Sequence, residues 1–457
     1  HYNNYRSRVT IHTPTKLARI RNGSGSNITL TEDPTEWNIY RLTMTPTETN
    51  LYVNENPTPV MTFAPESNIS GNRHFRFGDG DSGNDFGAHI DWVIWEVTGA
   101  YSPAQLPVPT SLIPKYWNGE GNWSHAEGWS GGSVPAKDAK VVAESGHLTA
   151  TNDVEVKSIT IYPNARLTVA TDKTLTADIV GLRSNQNKEV ASLVNLGSVV
   201  ADSVVYMRGI PALAFEYISS PVAGQNAGSL SASDQKGLYL FSNSEDAWEL
   251  ITDNEIELTP MRGYSFVSYD ATTVIFAGSN FNQGTQSIGL GNGFNLVGNP
   301  FASAIDWGHP SSWSRTNVSA DIWINYGDSP GDANFATFNH ISGEFTNWAD
   351  HNGSDGYVGE DLGVIPPTQS FWVYASSITS LSVSPSAQLH SGNVLNKKMT
   401  NANPAIRLRA QRENYTDEMV LIFHENATQG YDQYDTRKKL GSGAYPQIYA
   451  STSEGIM

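Results

Sequence analysis

Short runs in which apolar and polar residues alternate recur along the whole chain, between clusters of Gly, Asn, Asp, Pro and Ser. Residues 89–97 (HIDWVIWEV), 263–269 (GYSFVSY) and 369–375 (QSFWVYA) have the two-residue period of a half-buried strand. The segments at 35–45 and 49–56 (TEWNIYRLTMT and TNLYVNEN) predict a hairpin, in which Leu51 and Val53 lie on one face and Tyr52 on the other. No window has a long, well-capped helical period, so the pattern predicts an all-β protein.

Changes in this alternation of apolar and polar residues divide the chain into parts with different sequence patterns. We predict a jelly-roll-like domain at residues 1–106, a short β-solenoid at 116–210, a β-sandwich at 211–391 and a partial C-terminal β domain at 404–457. A chain of 457 residues is too long for one hydrophobic core. We therefore expect domains arranged like beads on a string, with boundaries near residues 107–115, 208–212 and 392–403.

The solenoid prediction comes from short β-runs separated by brief turns of Asn, Asp and Gly. Such runs form rungs that bury an apolar row on the next rung. Residues 193–207 (LVNLGSVVADSVVYM) continue the stack. The expected inward positions are Val154, Val156, Ile159, Ile161, Leu167, Val169 and Leu175.

The segment GFNLVGNPFASAIDW, residues 293–307, predicts a strand, a tight turn and a second apolar limb. Pro300 fixes its own φ and restricts Asn299, so the chain turns there. Asn299 and Asp306 are the strongly polar side chains after the turn begins. We expect them to bond to nearby backbone and hold the corner, in preference to a ligand-binding or catalytic role.

The net charge is −18 and the isoelectric point is about 5.0. Such a surface repels nucleic acid and anionic membranes, so neither is an expected partner. The absence of cysteine excludes disulfides, thiolate metal sites and thiol catalysis. No apolar run reaches about 18 residues, so no membrane insertion is expected. Because the chain begins at His1 without a signal-like segment, we interpret it as a processed or partial chain.

The loop GDGDSG at residues 78–83 has the spacing of a dinucleotide fingerprint, but its aspartates would repel a pyrophosphate and no helix follows. Carboxylates at such spacing suit a hard cation better, with calcium as the expected ion. The loop lacks an EF-hand glutamate, since Ile90 holds that position, and a solvated acidic turn remains the alternative. The predicted metal ligands are Asp79, Asp81, Asp85 and Asp91.

Other chemistry-bearing residues form no recognisable catalytic constellation. The chain has no HExxH or GxSxG motif, and its histidines are scattered. The acidic run at 350–361 is expected to be an exposed loop, and the run at 431–435 is expected to be a loop held by its own bonds. Trp95, Trp129 and Trp348 are expected in cores, with stacking on sugar rings as the alternative.

Several segments together resemble a module of large secreted proteins of Bacteroidota, where it precedes a type IX secretion sorting domain. They are YISSPVAGQ (217–225), LTPMRGYSF (258–266), TVIFAGSNFNQG (273–284), GFNLVGNPFASAIDW (293–307) and IPPTQSFWVYA (365–375). Residues 405–442 resemble the strand pair that leads toward that sorting domain, which is itself not present. The resemblance implies a secreted or surface scaffold and names no reaction.

Two smaller resemblances concern the surface of the protein. Residues 1–106 resemble laminin-G or concanavalin-like jelly rolls of bacterial surface proteins, in which a Gly/Asp-rich loop precedes an Asp-Trp strand. The tripeptide at 202–204 (DSV) resembles the motif on which Bacteroidota attach O-glycans; chance occurrence is the alternative.

The leading functional hypothesis is a non-catalytic secreted or cell-surface scaffold with an adhesive or glycan-binding role. Its expected location is extracellular or on the outer-membrane surface. Its expected partners are a glycan or surface protein and the type IX secretion machinery. Two alternatives remain open: the accessory C-terminal part of a polysaccharide-degrading enzyme whose catalytic domain lies outside this chain, and an enzyme with an unrecognised site.

Overall fold

The computed structural model divides the chain into two compact units, His1–Ile113 and Pro114–Met457. The described residues are 9–12, 17–20, 27–29, 38–65, 100–105, 113–185, 189–212, 214–230, 236–325, 334–346, 363–390, 404–412, 415–441, 445–453 and 455–457. Over these ranges the chain forms strands and three 3-10 helices, at Ala126–Gly128, Ala227–Ser229 and Pro385–Ala387. The all-β prediction is confirmed.

The described part of the first unit contains two antiparallel three-stranded sheets. Their strands are β1 (Val9–His12), β2 (Leu17–Ile20), β3 (Asn27–Thr29), β4 (Tyr40–Met44), β5 (Thr49–Val53) and β6 (Met61–Phe63). The antiparallel pairing of β4 with β5 confirms the predicted hairpin. Leu51 and Val53 are buried as predicted, and Tyr52, expected on the opposite face, is buried as well. The predicted Gly/Asp-rich loop and Asp-Trp strand lie outside the described residues.

The second unit begins with a β-solenoid of about four turns. Its strands are β7 (Lys115–Asn122), β8 (Lys140–Ala150), β9 (Val154–Ile161), β10 (Ala165–Val169), β11 (Thr174–Arg183), β12 (Ser192–Asn195) and β13 (Ser198–Ile210). One parallel ladder runs β7–β8–β10–β12, and a second runs β8–β9–β11–β13. The long strand β8 pairs with strands of both ladders, so the two ladders form two faces of the same solenoid.

The interior of the solenoid is a stack of apolar side chains in register. Leu167 pairs with Leu148 on one side and with Leu193 on the other, and all three are buried. All of the inward positions predicted from the sequence are buried, which confirms the rung pattern. Each fully buried aliphatic side chain contributes about 1.5–3 kcal/mol to the free energy of unfolding.

The two ends of the solenoid are closed differently. Three buried tryptophans cover the first end: Trp129 packs edge-on against Trp117, with ring centroids 5.0 Å apart, and against Trp123, at 4.9 Å. At the other end, β13 pairs antiparallel with β19 (Thr272–Gly278) of the following module. The tryptophans cover an apolar end of the solenoid, and β19 covers a sheet edge. If exposed, either surface could pair with another chain.

The following module consists of several small antiparallel sheets. Its remaining strands are β14 (Ala214–Ile218), β15 (Val222–Ala223), β16 (Lys236–Ser242), β17 (Ala247–Leu250), β18 (Tyr264–Ser268), β20 (Asn280–Phe281), β21 (Gln286–Leu290), β22 (Gly293–Gly298), β23 (Ala304–Asp306), β24 (Trp313–Ser314), β25 (Asp321–Asn325), β26 (Phe335–Asn339), β27 (Phe345–Thr346), β28 (Val364–Ile365), β29 (Ser370–Ala375), β30 (Thr379–Val383) and β31 (Gln388–Leu389). The largest sheet has the order β22–β29–β25–β26–β27.

The five-stranded sheet of the module is packed against other residues on both of its faces. On one face, Val297, Phe371 and Ile322 belong to a core that also includes Leu381 of β30 and Ile305 of β23. The opposite face, which we call the aromatic face, carries Phe294, Trp323, Phe335, Trp372 and Tyr374. A sheet that buries both faces is the expected centre of a sandwich-like module.

Solenoid and module share one hydrophobic core, which runs from Trp117 through Val204 to Phe276 and Ala302. The ladder between β13 and β19 crosses from one to the other. The structure places both in one compact unit, Pro114–Met457, and the boundary predicted near residues 208–212 stays a prediction. Nothing local in either strand specifies the long-range pairing of β13 with β19.

The segment 293–307 forms the predicted strand and corner. The fully buried Asn299 donates through Nδ2 to the carbonyl oxygens of Ser303, Ile365 and Pro366 at 2.8, 3.1 and 2.9 Å, and its Oδ1 accepts from Phe301 N at 2.9 Å. Asp306 Oδ1 accepts from Gly308 N at 2.7 Å. Both polar side chains hold the corner, as expected.

The C-terminal part contains the hairpin β32 (Ala405–Arg412) and β33 (Tyr415–Ile422), followed by β34 (Ser451–Thr452) and β35 (Gly455–Ile456). Residues 431–440, which we call the C-terminal strap, lie on the aromatic face. Trp323 Nε1 donates to Arg437 O at 3.0 Å, and Asn339 Nδ2 donates to Gln433 O at 3.1 Å. The strap thus satisfies polar groups of the sheet that it covers.

Candidate functional site

The residues proposed from the sequence for metal binding and sugar stacking are largely beyond the described ranges. Asp79, Asp81, Asp85 and Asp91 lie outside the described residues, as do Trp95, Trp348 and the acidic run 350–361. Within the described ranges, no group of three or more His, Asp or Glu is arranged to hold a metal ion. The calcium site therefore stays a prediction.

Three predicted features do lie in described parts of the chain. Trp129 is 3% exposed in the end cap of the solenoid, so it belongs to the core and is closed to a sugar ring. In the run 431–435, Asp432 accepts from Thr428 N and Tyr434 N at 2.6 and 2.8 Å, which is the loop bonding that we expected. Asp202 lies on the exposed side of the solenoid strand β13.

A hydrogen-bonded row of polar side chains crosses the junction between the solenoid and β31. Thr168 Oγ1 lies 2.8 Å from His147 Nε2 and 2.9 Å from His390 Nε2, and His390 Nδ1 lies 2.8 Å from Ser192 Oγ. Burial, with the neighbouring His147 and Arg166 charges, lowers the pKa of His390 to about 3, so its imidazole is neutral at physiological pH. Ser192 is only 2% exposed, which makes this row a joint between elements and closes it to substrate.

Sequence reasoning missed that row because 222 positions separate Thr168 from His390. Neither residue has a motif around it, and their approach depends on how β31 packs against β12.

The strap fills the aromatic face with a cation. Lys439 Nζ lies 3.8 Å from the ring centroid of Trp372 and 4.3 Å from that of Phe294. Burial lowers the pKa of Lys439 to about 8. Contacts of an ammonium with ring faces are favourable, and here the protein's own lysine makes them. The aromatic face is therefore occupied and not open to a ligand.

An open cleft lies beside this region, between the β16–β17 hairpin and the turn from β21 to β22. It encloses about 380 Å³, within the range of small-ligand sites. We call it the Arg262 cleft. Its lining combines an apolar floor, bare glycine backbone, hydroxyl groups and two charges, contributed by Leu240, Phe241, Ser242, Asn243, Ser244, Glu249, Arg262, Ile288, Gly289, Leu290, Gly291, Asn295, Leu296 and Val297.

Arg262 is held in place by its own backbone. Met261 before it is fully buried and has a positive φ of 61°, and its carbonyl accepts from Gly298 N at 2.8 Å. Gly263 after it packs so closely that a Cβ would lie 2.5 Å from Leu296 Cγ. A β-bridge joins Arg262 to Val297. Arg262 itself is half-buried between these two buried residues and lines the cleft.

The walls of the cleft are pinned by two asparagines. Asn295 Oδ1 accepts from Gly291 N at 2.9 Å, and its Nδ2 donates to the carbonyls of Gly291 and Gly293 at 2.8 and 2.9 Å. Asn243 Nδ2 donates to Phe294 O at 2.8 Å, which ties the β16–β17 turn to the β22 side. Because both amides are used in this way, the shape of the cleft is set before any ligand arrives.

The charges of the cleft are not paired with each other. The half-buried Arg262 makes no hydrogen bond, ion pair or ring contact through its guanidinium with any described residue, although Glu249 lines the same cleft. Burial raises the pKa of the nearby Tyr264 phenol, and the positive Arg262 acts in the opposite direction. An unpaired guanidinium in a concave site can bind an anionic or hydroxyl-rich ligand group.

A sequence signal for Arg262 existed. It is the one charged residue between Glu257 and Asp270, in a stretch that otherwise reads as turn and strand. That pattern marks an isolated cation, but only the fold shows that no acidic side chain of the described ranges contacts it.

None of the helices in the described ranges has the length and apolar character of a membrane-spanning segment. Comparison with known proteins finds one family model, described as a domain of unknown function (DUF8693), which matches residues 116–455. No curated protein and no solved structure matches the chain.

Proposed function

The chain belongs to the DUF8693 family, and we propose that it is a non-catalytic secreted or cell-surface scaffold that binds glycans in the Arg262 cleft. The segment resemblance to type IX-secreted proteins of Bacteroidota supports export by that machinery to the outer surface or the medium. The expected partners are accordingly the secretion machinery and a glycan or surface protein.

A scaffold role is supported by the continuity of the second unit. One core joins solenoid and module, and the strap fixes the C-terminal part on the aromatic face. Within the described residues, these contacts fix the positions of the solenoid, the module and the strap relative to one another.

The serine–histidine contacts in the described ranges support a non-catalytic role. Ser192 contacts His390, and Ser312 contacts His309 at 2.5 Å, but the two serines are only 2% and 4% exposed. Ser312 also bonds to Ser386 at 2.7 Å. A nucleophile must reach the substrate, and these hydroxyls are committed inside the fold.

The observation that carries the glycan-binding proposal is the Arg262 cleft, whose lining includes Ser242, Ser244, Gly289 and Phe241. Sugar rings present an apolar face and a hydroxyl edge, which match an aromatic side chain beside polar groups.

Blocking the cleft tests the proposal. Gly289 is exposed, lines the cleft and has nothing within 4 Å of where a Cβ would stand. Gly289→Leu should therefore leave the melting temperature nearly unchanged and abolish binding on a glycan array. Ser287→Leu is the matched control, since Ser287 is exposed on the same strand and face outside the cleft. The proposal fails if no glycan binds, or if both variants bind like the unmodified protein.

A further inference from the structure

Arg262 is a half-buried cation with no acidic partner among the described residues. The chain carries 46 acidic and 28 basic residues, so an acidic neighbour is easy to supply, yet the Arg262 guanidinium contacts none in the described residues. Two other half-buried arginines are paired with a carboxylate: Arg41 bonds to Glu55 at 2.6 Å and Arg166 to Glu120 at 2.8 Å.

We propose that the Arg262 cleft recognises a saccharide that carries a carboxylate, a refinement that rests on the proposed glycan-binding function. The guanidinium fork matches a carboxylate with two parallel hydrogen bonds, which gives both strength and orientation. The ligand's carboxylate takes the place that a protein carboxylate has at Arg41 and Arg166.

The remaining lining explains why the carboxylate belongs to a sugar. The hydroxyls of Ser242 and Ser244 lie 3.4 Å apart on the hairpin strand and turn, where they can exchange hydrogen bonds with ring hydroxyls. Gly289 exposes bare backbone to the cleft, so a flat ring can approach closely.

Phe241 supplies the apolar wall. Its ring is fixed by edge-on packing against Trp372 and Trp248, with centroids 4.7 and 5.4 Å away. A fixed ring loses no rotamer freedom when a sugar ring stacks on it, which lowers the entropic cost of binding.

Glu249 gives the cleft a second charge with a different role. It lies on the edge strand β17 and is exposed. As an acceptor it can take hydrogen bonds from sugar hydroxyls, whereas it repels an anionic group placed beside it. The carboxylate of the ligand is thereby directed to the Arg262 side of the cleft.

The test uses tetragalacturonate and its fully methyl-esterified form, which differ in charge but share the same sugar backbone. Titration calorimetry with the full chain should show binding of the acid and roughly tenfold to a hundredfold weaker binding of the ester, the range expected for one charge-assisted fork. Raising the salt concentration should weaken binding of the acid and leave binding of the ester unchanged.

Variants assign the effect to Arg262. Arg262→Gln should reduce affinity for the acid by a similar factor and leave affinity for the ester unchanged, while Arg262→Lys should give an intermediate value. Arg183→Gln is the control: Arg183 is half-buried on the solenoid, over the ring of Tyr162 at 5.0 Å, and its loss should change neither affinity. Melting curves check that each variant is folded.

The outcomes separate the two proposals. Equal binding of acid and ester, unaffected by Arg262→Gln, overturns the carboxylate inference and leaves glycan binding standing. Failure of every saccharide, acidic or neutral, overturns the proposed function itself. Binding of tetra-aspartate that depends on Arg262, without binding of the uronate, shows an acidic peptide site and overturns the inference.

Discussion

Asp321 shows how surroundings set the behaviour of one residue. It is fully buried beneath the strap, and its Oδ1 accepts from Thr436 Oγ1 at 2.8 Å. Burial raises its pKa to about 7, although the bond from Thr436 and the positive Arg437 act in the opposite direction. A carboxyl with a raised pKa holds a proton in the folded state that the unfolded chain has already released.

Asp321 should therefore make the free energy of unfolding fall as pH rises from about 4 to about 7, by roughly 1.4 kcal/mol per pH unit within that window. Asp321→Asn keeps an acceptor for Thr436 and removes this contribution, so the variant should exceed the unmodified protein in stability at pH 8. Denaturant unfolding from pH 4 to pH 8 measures the difference.

The informative quantity is the difference in the free energy of unfolding between the unmodified protein and Asp321→Asn. Buried histidines change the stability of both proteins with pH in the opposite direction, so the pH dependence of either protein alone is not sufficient. Burial lowers the pKa of His340 to about 4 and that of His390 to about 3, so their contributions to stability rise with pH up to about 6.5. Asp202→Asn, at an exposed position of the solenoid, is the control. A pH-independent difference for Asp321→Asn would contradict the assignment.

At the scale of elements, the strap depends on two adjacent lysines with different partners. Lys438 Nζ bonds to both oxygens of the fully buried Asp417 at 2.6 Å. Lys439 enters the aromatic face, and the ring of Phe335, at 5.4 Å from Nζ, completes its contact with Trp372 and Phe294. Lys438 is thus paired with a buried carboxylate, whereas Lys439 contacts several aromatic rings.

Replacing Lys438 by Met should therefore cost roughly 3–5 kcal/mol, because the Asp417 carboxylate would be left buried beside an apolar side chain. Lys439→Met is the neighbouring control and should cost less than about 2 kcal/mol, since the Met side chain keeps most of the contact with the rings. Limited proteolysis of the strap and thermal unfolding report both effects. A larger loss for Lys439→Met would contradict the distinction.

For the whole molecule, the shared core has a consequence for unfolding. Because solenoid and module bury the same apolar cluster and share the ladder of β13 and β19, neither is a separate cooperative unit. Residues 114–457 should unfold in a single calorimetric transition.

Leu167→Ala, in the centre of the solenoid, tests that coupling. The substitution should cost about 2–5 kcal/mol and move the whole transition to lower temperature. Thr176→Ala, at a half-buried outward position of β11, should move it little. Two transitions, of which Leu167→Ala shifts one alone, would show that the module folds independently.

The sequence by itself determined the all-β class, the solenoid rungs and the corner at Asn299. Each of these follows from local physics: alternation that buries Leu167 and Val169, a proline that fixes the turn, and an amide that can satisfy nearby backbone. Such features depend only on residues that are close together in the chain, so they can be predicted from a single sequence.

The tertiary structure alone decided the joined core, the occupied aromatic face and the Arg262 cleft. Each brings together residues from distant parts of the chain, as Thr168 meets His390 and Trp323 meets Arg437. The sequence around an arginine does not show whether an acidic residue will lie beside it in the folded protein. Whether Arg262 is left available for a ligand depends on long-range packing, which local patterns do not encode.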